Sequence, residues 1–212
     1  MRTLTWYYDF ISPYAYLQSA KLSDFGEHAL IKCKPILFAG LLKHWGQLGP
    51  AEISPKRQWT FEQVAFTANR HNIALTMPAM HPFNPLPLLR LAQALELREQ
   101  GGIAATQRIF NFVWQDGKLP TDTDHFATLL ESFNLTEPEI NSDEVKTQLK
   151  RNGDEAIEEQ IFGVPTSVIE GRRFWGFDAG DMVHSYLNND QFWHGPALQS
   201  VQNLPQGVQR PR

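Results

Sequence analysis

The run WYYDFISPYAYLQSAKL, residues 6–22, restricts the fold of this chain more than any other stretch. The aromatic-rich residues from Leu4 to Ile11 are too few and too ring-heavy for an amphipathic helix, so they predict a buried strand. Ser12-Pro13 then marks a helix start. Serine caps the first free amides, and proline suits the first helical position because its missing N–H would be unpaired there. Tyr14, Leu17, Leu22 and Phe25 share one face at helical spacing, with Gly26 as the stop. Ser12 therefore sits between strand and helix, its hydroxyl at the positive end of the helix dipole, a place that suits phosphate, carboxylate or thiolate. The plainer alternative is a cap with no other role.

Further along, Ala29 to Phe38 predicts a second strand, with Ile31 and Cys33 on one side and Lys32 and Lys34 on the other. Pro35 assigns that strand to an edge or a bulge. Residues 40–55 read as loop, with Gly46, Gly49, Pro50 and Pro55. A helical section follows: 58–71, a helix marked by Leu88, Leu91, Ala92 and Leu95, one from Ile103 to Val113, and one from Phe126 to Phe133. Thr136-Glu137-Pro138-Glu139 is a capping box that opens a helix to about Arg151. Asn152-Gly153 predicts a break, and Asp154 caps a short helix through Gln160. Pro165 to Glu170, a turn at Gly171-Arg172, and the RRFWG run predict a hairpin, followed by a helix over 179–187. The tail from Asn188 lacks apolar periodicity and reads as an arm or as disordered. Strands at both ends with helices between imply one sheet whose halves lie far apart in sequence.

Composition bounds the function. At 212 residues, 42% apolar and 20% charged, the chain has the makeup of a soluble globular protein with a real core. A net charge of −4 with scattered lysines and arginines offers no nucleic-acid footprint. No apolar run is long enough to cross a bilayer, and the N-terminus lacks the pattern of a secretory signal. One cysteine excludes an intrachain disulfide and agrees with a reducing cytoplasm. Cys33, inside a strand, reads as a small buried hydrophobe. The seven histidines show no metal-ligand spacing, so no metal is expected. His81 is the one placed as a pocket residue.

The second informative stretch is FGVPTSVIEGRRFWGFD, residues 162–178, where Val164-Pro165-Thr166 opens a strand beside an open backbone. With the Ser-Pro turn and the HPFNPLPLLR run, it resembles the DsbA branch of the thioredoxin superfamily. More narrowly, residues 3 to about 188 resemble the 2-hydroxychromene-2-carboxylate isomerases and the kappa-class glutathione transferases. The resemblance implies an α/β thioredoxin-like domain (1–40 and 153–190). An all-helical insertion (41–152) separates the second strand from the C-terminal βα half, and a tail (191–212) follows. Where redox relatives carry Cys-x-x-Cys this chain has Ser12-Pro13-Tyr14-Ala15, so dithiol exchange is excluded.

The resemblance implies that Ser12 is catalytic and donates a hydrogen bond to the sulfur of bound glutathione. It implies further that Val164, before a cis Pro165, pairs with the cysteinyl backbone. Asp178, next to Phe177, takes the γ-glutamyl amino group, and Lys56 and Gln47 reach the tripeptide. Asn84 and His81 fall near an aromatic-derived substrate. Each has a plainer reading: Val164 structural, Lys56 a solvated charge, Asp178 a cap for the last helix. Many isomerases read Gly-x-Asp-Arg after the last strand, and here the run is Gly176-Phe177-Asp178-Ala179. Lys43 and Arg173 are the candidates to replace that arginine. The expectation is a cytoplasmic, homodimeric, glutathione-dependent cis–trans isomerase. Its rivals are a kappa-like transferase and a thioredoxin-like binding module.

Overall fold

The computed structural model of the chain describes residues 1–202, 204–205 and 207–208. Four strands form one sheet: β1 (Arg2–Tyr8), β2 (Ala29–Pro35), β3 (Thr166–Ile169) and β4 (Arg172–Trp175), in the order β2-β1-β3-β4. β1 runs parallel to β2 and antiparallel to β3, and β3 and β4 form an antiparallel hairpin. Helix α1 (Pro13–Ser19) joins β1 toward β2. The inserted block holds α2 (Phe38–Trp45), α3 (Ser54–Arg70), α4 (Leu86–Leu97), α5 (Ile103–Trp114), α6 (Thr123–Glu131), α7 (Glu137–Ile140) and α8 (Asp143–Glu158). After the hairpin come α9 (Gly180–Leu187) and α10 (Pro196–Gln202). This is the expected α/β thioredoxin-like architecture, with helices inserted between the second and third strands. No helix among the described residues is long and apolar enough to cross a membrane.

β1 is aromatic on both faces because both are covered. Leu4, Trp6 and Tyr8 join the main core with α4 and α5. Tyr7 faces the other way, into a smaller cluster with Ile36, Leu41, Ala156, Ile161 and Val168. Trp6 and Tyr8 stack at 4.5 Å, Tyr8 meets Phe10 edge-on at 5.3 Å, and Phe10 lies 4.6 Å from Phe110 of α5. Such pairs add about 0.5–1.5 kcal/mol each beyond the area they bury. The polar edges of the rings are satisfied: Trp6 Nε1 donates to Gln18 Oε1 at 2.6 Å, and Trp114 Nε1 donates to the Phe10 carbonyl at 2.9 Å.

The structure departs from the sequence expectations at several boundaries. β1 stops at Tyr8, not Ile11, because the Asp9 carboxylate and carbonyl take the amides of Ile11 and Ser12 and turn the chain. α1 ends at Ser19, and Leu22–Phe25 forms a separate 3-10 turn that still buries Leu22 and Phe25. β2 ends at Pro35 and is an edge strand, as its proline requires. The stretch read as loop from residue 40 contains most of α2. Gly46, at φ +64°, is the left-handed stop of that helix and donates to the Leu42 carbonyl.

The box at Thr136 does form, but it opens only the four residues of α7. Ser142 then caps α8, which runs unbroken through Asn152-Gly153. Asn152 does not end that helix because its side chain is used elsewhere: the buried amide donates to the Pro35 carbonyl at 3.0 Å and to Gln93 Oε1 at 2.7 Å. The hairpin turn falls on Glu170-Gly171, one residue early, both at positive φ as a type I′ turn requires.

The tail is not a loose arm where it is described. Residues 191–194 make a 3-10 turn, and Trp193 is buried against Phe174 and Tyr186 at 5.6 and 5.2 Å, with its indole donating to Ser185 Oγ at 3.0 Å. One ring with a socket anchors a segment that has no periodicity. Trp193→Ala should lower the unfolding free energy by about 3 kcal/mol in chemical denaturation; an unchanged midpoint would return this segment to the status of an arm.

Candidate active site

Ser12 caps α1 as expected, its Oγ accepting from the Ala15 amide at 3.2 Å. The same Oγ donates across the molecule to the Val164 carbonyl at 3.4 Å. The Val164–Pro165 peptide is cis. Val164 lies outside the ladder that ends at Thr166, and its N–H makes no hydrogen bond within the described residues. The loop behind it is held by Thr166 Oγ1 donating to the Gly163 carbonyl at 2.7 Å and by Gly176 N–H donating to the Pro165 carbonyl at 2.9 Å. Gly163 is required there, because a Cβ would collide with the Trp175 indole. Fold and sequence thus bring the hydroxyl of a buried serine, 7% exposed, against the carbonyl of a residue whose own N–H is free.

A groove of about 830 Å³ opens in front of this peptide. Val164, Tyr14, Lys56, Trp59, Phe177 and Asp178 line it, so four of the sequence-derived positions meet there. Ser12 and Pro165 are not lining residues; Ser12 meets the groove through its bond to the carbonyl of Val164, which does line it. The other positions lie elsewhere. Gln47 is exposed just past the end of α2, Asn84 accepts from the Leu86 amide at 3.1 Å in the first turn of α4, and neither lines the groove. His81 also lies outside the groove; its Nε2 donates to the Ile11 carbonyl at 2.9 Å, directly before Ser12. Burial holds the His81 pKa below its usual value, against the raising effect of the Ile11 bond. Lys43 and Arg173 are absent from the lining, and Arg173 donates to the Glu159 carbonyl at 3.0 Å. Asp178 does not cap the last helix.

Residues 3–188 match the DSBA-like thioredoxin domain family. The chain belongs to that family. A 2-hydroxychromene-2-carboxylate isomerase of Sphingobium xenophagum is 27% identical over 195 residues, spanning 88% of this chain and 98% of that protein. Glutathione S-transferase kappa 1 of Rattus norvegicus is 22% identical over 213 residues, spanning 92% and 94%. Among solved structures, a 2-hydroxychromene-2-carboxylate isomerase superposes with a TM-score of 0.76 at 22% identity, spanning 96% of this chain and all of the other.

This DSBA-like domain uses groove residues that the sequence reading passed over. Gln18 takes the Trp6 indole through Oε1 and donates through Nε2 to the Gly176 carbonyl at 3.0 Å, which fixes the turn carrying Asp178 against α1. Lys21, three residues on, lines the groove with Asp24, Asp181 and His184. Lys21 lies past the end of α1, so no helical spacing marked it, and its role rests on the C-terminal turn that the fold brings to it. Cys33 is no alternative nucleophile: burial, then Glu96, push its thiol up to about 12.

Asp9 is the largest omission. It is fully buried, yet its carboxylate accepts the Ile11 amide at 3.0 Å and the Phe38 amide at 2.8 Å. Burial pushes its pKa up to about 7, opposed by those amides and that of Phe10. The folded chain therefore keeps this proton from about pH 4 to 7, a range where the unfolded chain has released it. Stability must fall as pH rises through that window and level off above it. The contribution is about 3–5 kcal/mol between pH 4 and pH 8. Asp9→Asn should flatten that part of the pH–stability curve; a variant curve parallel to wild type would refute the assignment.

Proposed function

We propose that this chain is a glutathione-dependent cis–trans isomerase acting on an aromatic-derived unsaturated carboxylate, of the 2-hydroxychromene-2-carboxylate isomerase type. The observation that carries the reading is Ser12 Oγ bonded to the carbonyl of Val164, a residue that lines an open groove, with no thiol in the turn. The donor set of that groove fits the tripeptide. An extended thiol peptide with one ammonium and two carboxylates needs a carboxylate, cations and a free peptide group, and the groove presents Asp178, Lys56, Lys21 and Val164. Asp178 would take the amino group, Val164 the cysteinyl backbone, and Lys56 and Lys21 the carboxylates, with Phe177 on the wall and Pro165 supplying the cis peptide behind Val164. Gln47, Asn84 and His81 would act only from outside the groove.

When bound, glutathione supplies a sulfur nucleophile for reversible addition to an unsaturated carbon. The chain's own part is to keep that sulfur charged. The Ser12 O–H bond to Val164 is long beside the usual 2.7–2.8 Å of a hydroxyl donor, so turning it toward sulfur forfeits little. A hydrogen bond to a charged acceptor contributes about 1.5–3 kcal/mol, equivalent to roughly 1–2 pKa units in favour of the anion. The groove's aromatic side, Tyr14, Trp59 and Phe177, offers a flat apolar surface to a ring. Glutathione returns unchanged in this reading, which fits a reducing compartment such as the cytoplasm. The resemblance adds a homodimer.

The rat relative's name supports a second reading, a transferase that consumes glutathione. With limiting glutathione, turnover beyond the amount supplied is expected, whereas a stoichiometric adduct would establish transfer. Absence of heat on titration with glutathione would remove both. Ser12→Ala should raise the pKa of the bound thiol by about 1–2 units and lower kcat roughly 10- to 100-fold, and it also costs about 1 kcal/mol through the lost cap. Ser12→Gly keeps most of the cap yet should show the same kinetic loss. A bound thiol that titrates identically in wild type and both variants would rule out the hydroxyl's role.

A further inference from the structure

A second concavity, of about 270 Å³, lies between α2, α4 and α8 and shares no lining residue with the groove. Its floor is apolar, with Leu41 and Leu149 buried and Ile157 beside them. Its rim carries Arg90, Lys146 and Lys150 against one carboxylate, Asp154, in a chain whose net charge is −4. The cations differ in how they are engaged. Arg90 is held by Asn141 Oδ1 at 2.6 Å, Lys146 pairs with exposed Asp143 at 3.6 Å, and Lys150 has no ion-pair partner among the described residues.

Two glycines open this space, Gly40 inside α2 and Gly153 inside α8. A glycine inside a helix is less stable than alanine, and is normally kept for a positive φ or a close approach. Neither reason applies. Both have ordinary helical φ, and a Cβ at either position would meet nothing within 4 Å. Two helices thus leave out side chains that the chain's own packing would accept, both in the lining of one pocket. Apolar floor, cationic rim and preserved volume are the complement of one kind of molecule.

The geometry points to a binding site for a small amphiphilic carboxylate, a single apolar ring system or short chain bearing one anionic group. The volume lies at the small end of ligand pockets, which restricts the occupant to that size. Leu37 on the rim precedes Phe38, whose amide holds Asp9, so an occupant would touch the segment that anchors the Ser12 turn.

The test is calorimetric titration of the full chain with 1-naphthoate and with its neutral isostere 1-naphthalenemethanol. One-to-one binding of the naphthoate is expected, at least tenfold tighter than the alcohol. Lys150→Glu and Gly153→Leu should each weaken it tenfold or more, and Lys56→Ala should leave it unchanged. Gly153→Ala should retain binding and raise the melting temperature, since its methyl group meets open space. If Gly153→Leu does not fold, Lys150→Glu decides. Equal affinity for acid and alcohol, no binding, or binding lost in Lys56→Ala and kept in Lys150→Glu would each overturn the site. So would concentration-dependent dimerisation abolished by Lys150→Glu, which would make this face a contact between two copies.

Discussion

Asp9 places a carboxylate out of reach of water at the point where three elements meet. Stripping a carboxylate of water costs several kcal/mol unless hydrogen bonds replace the water, and here backbone amides do so. One oxygen takes Ile11 and bends the end of β1; the other takes Phe38 and fixes the start of α2. The Asp9 carbonyl meanwhile accepts the Ser12 amide, which sets the first residue of α1. A single residue thereby aligns the strand end, the Ser12 turn and the entry to the helical block. A residue without two acceptor oxygens would leave at least one of these amides unpaired. The high carboxyl pKa follows from this placement.

Positioning by Asp9 is useful only if the strand leading to it does not shift. β1 lies between β2 and β3, and its rings stack from Trp6 through Tyr8 to Phe10 and on to Phe110. Gln18 extends that rigidity to the far half of the chain, since one side chain joins Trp6 of β1, α1 and Gly176 after β4. The groove is therefore walled by pieces more than 150 residues apart in sequence that share one rigid base. Tyr16 adds a further tie by donating to the Ala74 carbonyl.

What could be read beforehand follows the range of the interactions. Ser12-Pro13, the Thr136 box, the hairpin and the edge proline each act within a few residues, and each is visible as a local pattern. Gly46 was visible too, but as loop chemistry, because a left-handed stop and a turn glycine look alike without the helix before it. Asn152 looked like a breaker until Pro35 and Gln93 were seen to hold its amide. Trp193 needed Phe174 and Tyr186 as its socket. The site divides the same way. Ser12, Val164, Phe177 and Asp178 belong to contiguous motifs, whereas Asp9, Gln18 and Lys21 matter only because the fold brings distant amides, carbonyls and carboxylates to them.

A serine at this turn is more than the absence of a thiol. A cysteine at the head of α1 would itself be the nucleophile and, with a second thiol, would cycle between dithiol and disulfide. On the proposed reading, a hydroxyl that holds its proton throughout the physiological range is not the nucleophile and instead donates to a sulfur carried by the ligand. The groove carries charges of both signs along Lys56, Lys21, Asp24, Asp178 and Asp181. They suit a zwitterionic molecule held at both ends, as the proposed reading requires. On the proposed reading the same scaffold changes chemistry by moving the sulfur from the chain to the ligand, with the charged groove in place of a covalent attachment.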